Sequence, residues 1–152
     1  MLVLVFVAGS VVIGVVTAAV LRPRPVAVEP TSPSGPAAAA CRALHDQLPS
    51  RVAGLDGRPT APASVTTAAW GATPVVLRCG VGRPAALEPT SELSTVDGVD
   101  WLPQQLTHGY RFTTVGRTAW VEVTVPDADG LGARALVDLA PAITRTVPTT
   151  PS

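Results

Sequence analysis

The sequence predicts an α+β domain with a three- or four-stranded, mainly antiparallel sheet, preceded by a single transmembrane helix. Three observations predict it: an uncharged apolar run at the N-terminus, apolar alternation over residues 110–125, and helical periodicity on either side of the strands. Residues 1–21 carry no charged side chain. As a helix they would be about 31 Å long, which matches the hydrocarbon thickness of a bilayer. We expect them to form a membrane anchor.

A proline-rich segment follows the apolar run. Residues 22–36 include five prolines, which fix φ and remove backbone donors. We therefore predict an extended linker over 22–36 that holds a folded domain, residues 37–145, away from the bilayer. The polar residues 146–152 are predicted to be a disordered tail.

Two segments have the periodicity of amphipathic helices. The first covers residues 37–48 and is stopped by Pro49, and the second covers residues 131–143. Because their apolar residues recur every three or four positions, we expect both helices to pack on one face of the sheet. These positions are Ala40, Leu44 and Leu48 in the first helix, and Leu131, Ala135 and Leu139 in the second.

Strand patterns occur at residues 75–79, 110–114 and 119–125, with weaker ones at 99–102 and near 64–69. A turn at residues 115–118 predicts a hairpin in which Thr114 pairs with Ala119. This register sets Phe112 opposite Val121 on an apolar face. It sets Arg111 opposite Glu122, an ion pair, on a polar face.

Cys41 and Cys79 are the only cysteines, and we predict that they form a disulfide. The alternative is a thiol and imidazole pair of Cys41 with His45 at i, i+4, which a disulfide would abolish. Arg22 and Arg24 directly after the span favour a cytoplasmic domain. The predicted disulfide favours the exterior, so we expect a single-pass plasma membrane protein with its domain on the outer face.

Composition and motifs exclude several functions. The formal net charge is zero and only 14% of residues are charged, so nucleic-acid binding has no electrostatic support. His45 and His108 have no metal-ligand spacing, and the sequence contains no phosphate loop or nucleophile elbow. We expect no metal, no cofactor and no catalytic residue.

Four residues form a candidate binding surface: Trp101, Arg111, Trp120 and Glu122. An exposed Trp beside an Arg is typical of binding hot spots, although packing in the core would equally explain a Trp. We expect a non-enzymatic interaction module that binds an envelope protein or a wall component. The sequence also leaves open a small envelope hydrolase or thiol enzyme, and a ligand-sensing domain.

Several short motifs in a fixed order resemble a known family. They are CRAL at 41–44, AWG at 69–71, PVVLRCG at 74–80, GVDW at 98–101 and ALVDL at 135–139. In these motifs the chain resembles an actinobacterial family of membrane-anchored proteins, domain of unknown function 3515, over roughly residues 40 to 145. The resemblance implies an actinobacterial source, one N-terminal anchor and an envelope location. It supplies no catalytic residues, since the family has no assigned activity.

Overall fold

One antiparallel sheet of eight strands organises residues 23–128 and 130–151, which the structure, a computed structural model, describes. From edge to edge the strand order is β2-β3-β5-β6-β10-β9-β8-β7. A short parallel pair, β1 with β4, lies beside this sheet. The strands are β1 (Val26–Ala27), β2 (Arg51–Val52), β3 (Leu55–Arg58), β4 (Thr60–Ala61), β5 (Thr67–Trp70), β6 (Val75–Val81), β7 (Ser94–Val96), β8 (Val99–Leu106), β9 (Gly109–Thr114) and β10 (Trp120–Pro126).

Two helices, α1 (Gly35–Gln47) and α2 (Leu131–Thr146), pack against each other and against one face of the sheet. The first helix begins at Gly35 with Pro36 in its first turn, where proline is tolerated. Pro49 follows its C-cap, Leu48, and prevents the helix from continuing. The prediction of an α+β domain with an N-terminal and a C-terminal helix is confirmed.

The core lies between the two helices and the sheet. Burying each of its large apolar side chains stabilises the fold by about 1.5–3 kcal/mol relative to leaving it exposed. The largest side chains that are almost fully buried are Trp101, Leu44, Leu77, Leu139, Ile143, Val52, Val75, Val99, Val121, Val123, Val125 and Val147.

The predicted disulfide is present. Cys41 on α1 and Cys79 on β6 are bonded, with their Cα atoms 5.5 Å apart, and both are 1% exposed. The bond therefore fixes the first helix onto a central strand from inside the core.

The sheet has eight strands, against the three or four that we predicted. The predicted strands correspond to β6, β8, β9 and β10, and the weak pattern near residues 64–69 overlaps β5, whereas β2, β3 and β7 were missed. These three strands have only two to four residues each, too few for apolar alternation to be recognised. Tertiary pairing with longer neighbours, and not local sequence, defines them.

The predicted register of the β9–β10 hairpin was wrong by two residues. Glu122 lies opposite Thr113 and Val123 opposite Phe112. The side chain of Thr114 explains the shift, because its hydroxyl accepts from the Val121 N–H at 2.9 Å and takes the place of a backbone partner. A shift of two residues leaves every side chain on its predicted face, since side chains alternate along a strand.

The proline-rich segment is part of the fold. Its backbone is extended, but Val26 N–H donates to Pro59 O at 2.8 Å and Val28 N–H donates to Ala61 O at 3.1 Å. Val28 is 7% exposed. From Val26 onward the segment predicted as an extended linker over 22–36 is therefore paired with the folded domain, because its prolines leave alternate donors available for a neighbouring strand.

Residues of the C-terminal segment predicted as a disordered tail, 146–152, are also hydrogen-bonded to the fold. Arg117 is 8% exposed and donates from Nη1 to Val147 O at 2.7 Å and from Nη2 to Gly98 O at 3.0 Å. Thr150 N–H donates to Gly116 O at 2.9 Å. Burial lowers the pKa of Arg117, and the nearby Asp100 carboxylate opposes that effect.

The predicted membrane anchor, residues 1–21, lies outside the described residues. Within residues 23–128 and 130–151, no helix is both long and apolar enough to cross a bilayer.

Reducing the disulfide should lower the free energy of unfolding by about 4 kcal/mol. The bond joins two residues 38 positions apart in the sequence, so it restricts the conformations of the unfolded chain. Urea denaturation followed by the fluorescence of the buried Trp70 and Trp101 would measure the change. The C41A/C79A variant should show the lower midpoint with and without reductant. An equal midpoint for reduced and oxidised wild type would contradict the structural role of the bond.

Candidate functional site

The face of the sheet that points away from the helices carries the polar side chains. Arg78 on β6, Glu122 on β10 and Arg111 on β9 lie there on three neighbouring strands. The N-terminal segment covers part of this face, since Arg78 Nε donates to Glu29 O at 3.0 Å. The remainder of the face is available for a site.

Glu122 lies between two arginines. Its side chain is 13% exposed, with Oε1 at 3.4 Å from Arg78 Nη1 and Oε2 at 3.3 Å from Arg111 Nε. The ion pair of Arg111 with Glu122 was predicted and is present, but it is diagonal, because Arg111 lies opposite Thr124. Arg78, which lies directly opposite Glu122, was missing from the predicted surface.

The two arginines differ in how their donors are used. Arg78 donates both to Glu122 and to the Glu29 carbonyl, so two of its nitrogens are engaged. Arg111 Nε is near Glu122 Oε2, but it is buried and makes no hydrogen bond, since the contact is poorly aligned. Arg78 therefore makes an ion pair and a hydrogen bond with Glu122, whereas Arg111 makes the ion pair alone. The terminal nitrogens of Arg111 make no hydrogen bond within the described residues, and its side chain is 39% exposed.

A pocket of about 280 Å³ adjoins Arg111. Its polar wall consists of Gln104, Arg111, Thr113 and Glu122. The other wall is formed by the segment 81–86, of which every residue except Arg83 lines the pocket. This wall is mainly apolar. The lining contains a cation, an amide and a hydroxyl but no Cys, His or Ser. This arrangement can bind a small polar ligand and offers no activated nucleophile.

A bulge in β6 places the wall of this pocket. Val121 pairs with Cys79 but Trp120 pairs with Val81, so Gly80 is an extra residue in β6. Gly80 has φ +80°, and a Cβ there would lie 2.6 Å from Pro33 Cγ. Glycine is therefore required both by the backbone conformation and by the packing of the N-terminal segment. The bulge directs Val81 and the following residues over the polar face.

The structure brings two of the four residues of the predicted binding surface into the pocket, Arg111 and Glu122. Trp120 is half-buried and pairs with Val81, but it is not part of the lining. Trp101 is 0% exposed and belongs to the core on the helical face. Its place on the predicted surface was wrong, because residue 101 alternates with the exposed Asp100 and shares the inner face with Val99.

The other chemical candidates are not assembled into a site. Cys41 is bonded and buried, so the proposed thiol and imidazole pair with His45 does not exist in this structure. Across residues 23–128 and 130–151, no group of three or more His, Cys, Asp and Glu could hold a metal ion.

The fold and the site define a small α+β domain, closed by a disulfide, with a polar pocket on the outer face of its sheet. The chain belongs to the family described as "Protein of unknown function (DUF3515)", whose model matches residues 2–152. The resemblance found in the short motifs is thereby confirmed for the family. No curated protein matches the chain, and no solved structure matches it.

Replacing Glu122 with Ala should destabilise the domain by about 1–2 kcal/mol, because it leaves two partly buried arginines without their counterion. The control is D56A, which removes the pair of Arg51 with Asp56, whose side chains are 64% and 85% exposed. That pair should contribute about 0.5 kcal/mol or less. Urea denaturation of both variants would measure the difference, and equal losses would show that Glu122 is no more than a surface charge.

Proposed function

We propose that the chain is a non-enzymatic binding module of the bacterial cell envelope, and that its binding site is the pocket beside Arg111. The observation that carries this proposal is a partly exposed cation, Arg111, in a pocket whose lining has no activated nucleophile. The partner would be an envelope protein or a wall component that inserts a polar group between Arg111 and the segment 81–86. Membership of a family without assigned function is consistent with a domain whose activity is not known.

An outer-face location is supported by two features. The uncharged apolar residues 1–21 are long enough to span a bilayer as a helix, and the disulfide requires an oxidising compartment to persist. Because β1 begins at Val26, only residues 22–25 would separate such an anchor from the fold. Four residues span about 14 Å at most, so the domain would lie close to the membrane surface.

The alternative functions have less support. A thiol enzyme needs a free Cys41, which the disulfide removes. A hydrolase would need an activated nucleophile or a paired acid and base in the pocket, and Glu122 is the only carboxylate that the described part of the chain supplies to the lining. A ligand-sensing domain remains the second candidate, because the same pocket would hold the ligand.

Location is tested by the mass shift that a maleimide polymer produces on the protein from native membranes under denaturing conditions. We expect the shift only after reduction, because both cysteines are bonded in an oxidising compartment. A protein with one inserted exposed cysteine serves as the labelling control. Labelling of both native cysteines without reduction would place the domain in the cytoplasm and refute the outer-face location.

Binding is tested by replacing Gln104, in the pocket lining, with a photo-crosslinking amino acid in the full chain in intact cells. We expect adducts of defined mass from this position. The matched control is the same replacement at Val137, which is 47% exposed on α2, on the other side of the sheet. No adduct at 104, or the same adducts from both positions, would count against the pocket as the binding site.

A further inference from the structure

We propose that the pocket beside Arg111 recognises a carboxylate group on a small ligand or at the end of a peptide. This inference rests on the proposed function and names the chemistry of its ligand. It follows from the charge around the pocket, the geometry of its donors and the nature of its opposite wall.

The charges leave one cation for a ligand. Among the described residues Glu122 is the only acidic one in the lining, and it accepts its hydrogen bond from Arg78. Two arginines, Arg78 and Arg111, face one glutamate, Glu122, so the formal charge of the three is about +1. Arg83 lies on the same segment but outside the lining, and its Nη2 donates to Leu87 O at 2.7 Å. Arg111 is thus the cation that a ligand in the pocket would meet.

The donors suit a planar anion. The guanidinium group of Arg111 has five N–H donors in a rigid fork, and a carboxylate accepts two of them in parallel. In this structure its Nε is buried beside Glu122 Oε2, so the terminal nitrogens of the 39% exposed side chain are the donors that a ligand can reach. Gln104 on β8 lies directly opposite Arg111 on β9, so its amide group can donate to the same anion. A carboxylate bound end-on would accept from the two terminal nitrogens, which make no hydrogen bond within residues 23–128 and 130–151.

The size and the opposite wall limit the rest of the ligand. A volume of about 280 Å³ is below the range of roughly 300–1,000 Å³ typical of sites for drug-sized molecules. Val81, Pro84, Ala85 and Ala86 offer apolar contacts for a short hydrocarbon group. A phosphate dianion fits less well, because such groups are usually held by several cations and Glu122 would repel the added charge. The site therefore favours one carboxylate on a small aliphatic body.

The test uses the purified full chain in detergent and isothermal titration with three probes: N-acetyl-alanyl-alanine, its C-terminal amide, and acetate. The acid should bind and the neutral amide should bind at least about tenfold more weakly, since it lacks the charge that Arg111 recognises. Similar affinities for acetate and for the dipeptide would identify a free carboxylate as sufficient. A clearly tighter dipeptide would identify a peptide terminus.

Variants locate the site. R111Q should weaken binding of the acid by about tenfold or more, and R83Q should leave it unchanged. E122Q should strengthen it, because the anion that competes for Arg111 is removed. The comparison of the acid with the amide uses the wild-type protein, so it tests carboxylate recognition even if R111Q does not fold.

Three results would overturn the inference. The first is no binding of the acid up to about 10 mM, a range that covers weak fragment-like ligands. The others are equal binding of the acid and the amide, and displacement of the acid by inorganic phosphate at a concentration lower than that of the acid. If crosslinking from position 104 still succeeds, the binding module stands and only the carboxylate is wrong. If crosslinking fails as well, both proposals fail.

Discussion

Strand β6 is the element on which the rest of the structure depends, because each of its faces performs a different task. On the inner face Leu77 is buried and Cys79 is bonded to Cys41 on α1, which closes the core. On the outer face Arg78 holds Glu122 and the N-terminal segment through Glu29. At its end, the bulge at Gly80 directs the chain over the polar face. The core and the pocket are thus supported by the same seven residues.

The sequence allowed the elements with strong periodicity to be predicted, together with the faces they bury. Apolar alternation in β10 placed Val121 and Val123 inside, and helical periodicity placed Leu44 and Leu139 in the core. What could not be predicted depends on tertiary partners. The short strands are defined by their neighbours, and the hairpin register is set by the hydroxyl of Thr114.

The site was predicted only in part, for a similar reason. Arg111 and Glu122 could be paired because both lie in one hairpin, whereas Arg78 is distant in sequence and joins them only through the pairing of β6 with β10. Its alternation with the buried Leu77 and Cys79 was nevertheless a usable signal for the polar face. For Trp101 no such signal was available, since the local sequence GVDW does not indicate whether its indole lies in the core or on a surface.

The two ends of the domain are hydrogen-bonded to the fold, and this affects how readily proteases can cleave it. Val26 and Val28 are tied to the β4 region, and Thr150 is tied to Gly116 beside the buried Arg117. Proteases cleave segments that can leave the fold and extend into their clefts, and such segments are most often found near chain ends. With residues 26–28 and 147–150 hydrogen-bonded to a disulfide-closed core, the ends of the domain offer little for cleavage to begin on, and the exposed loop 82–93 is the more accessible target. Resistance to degradation is therefore built into the two ends of the domain.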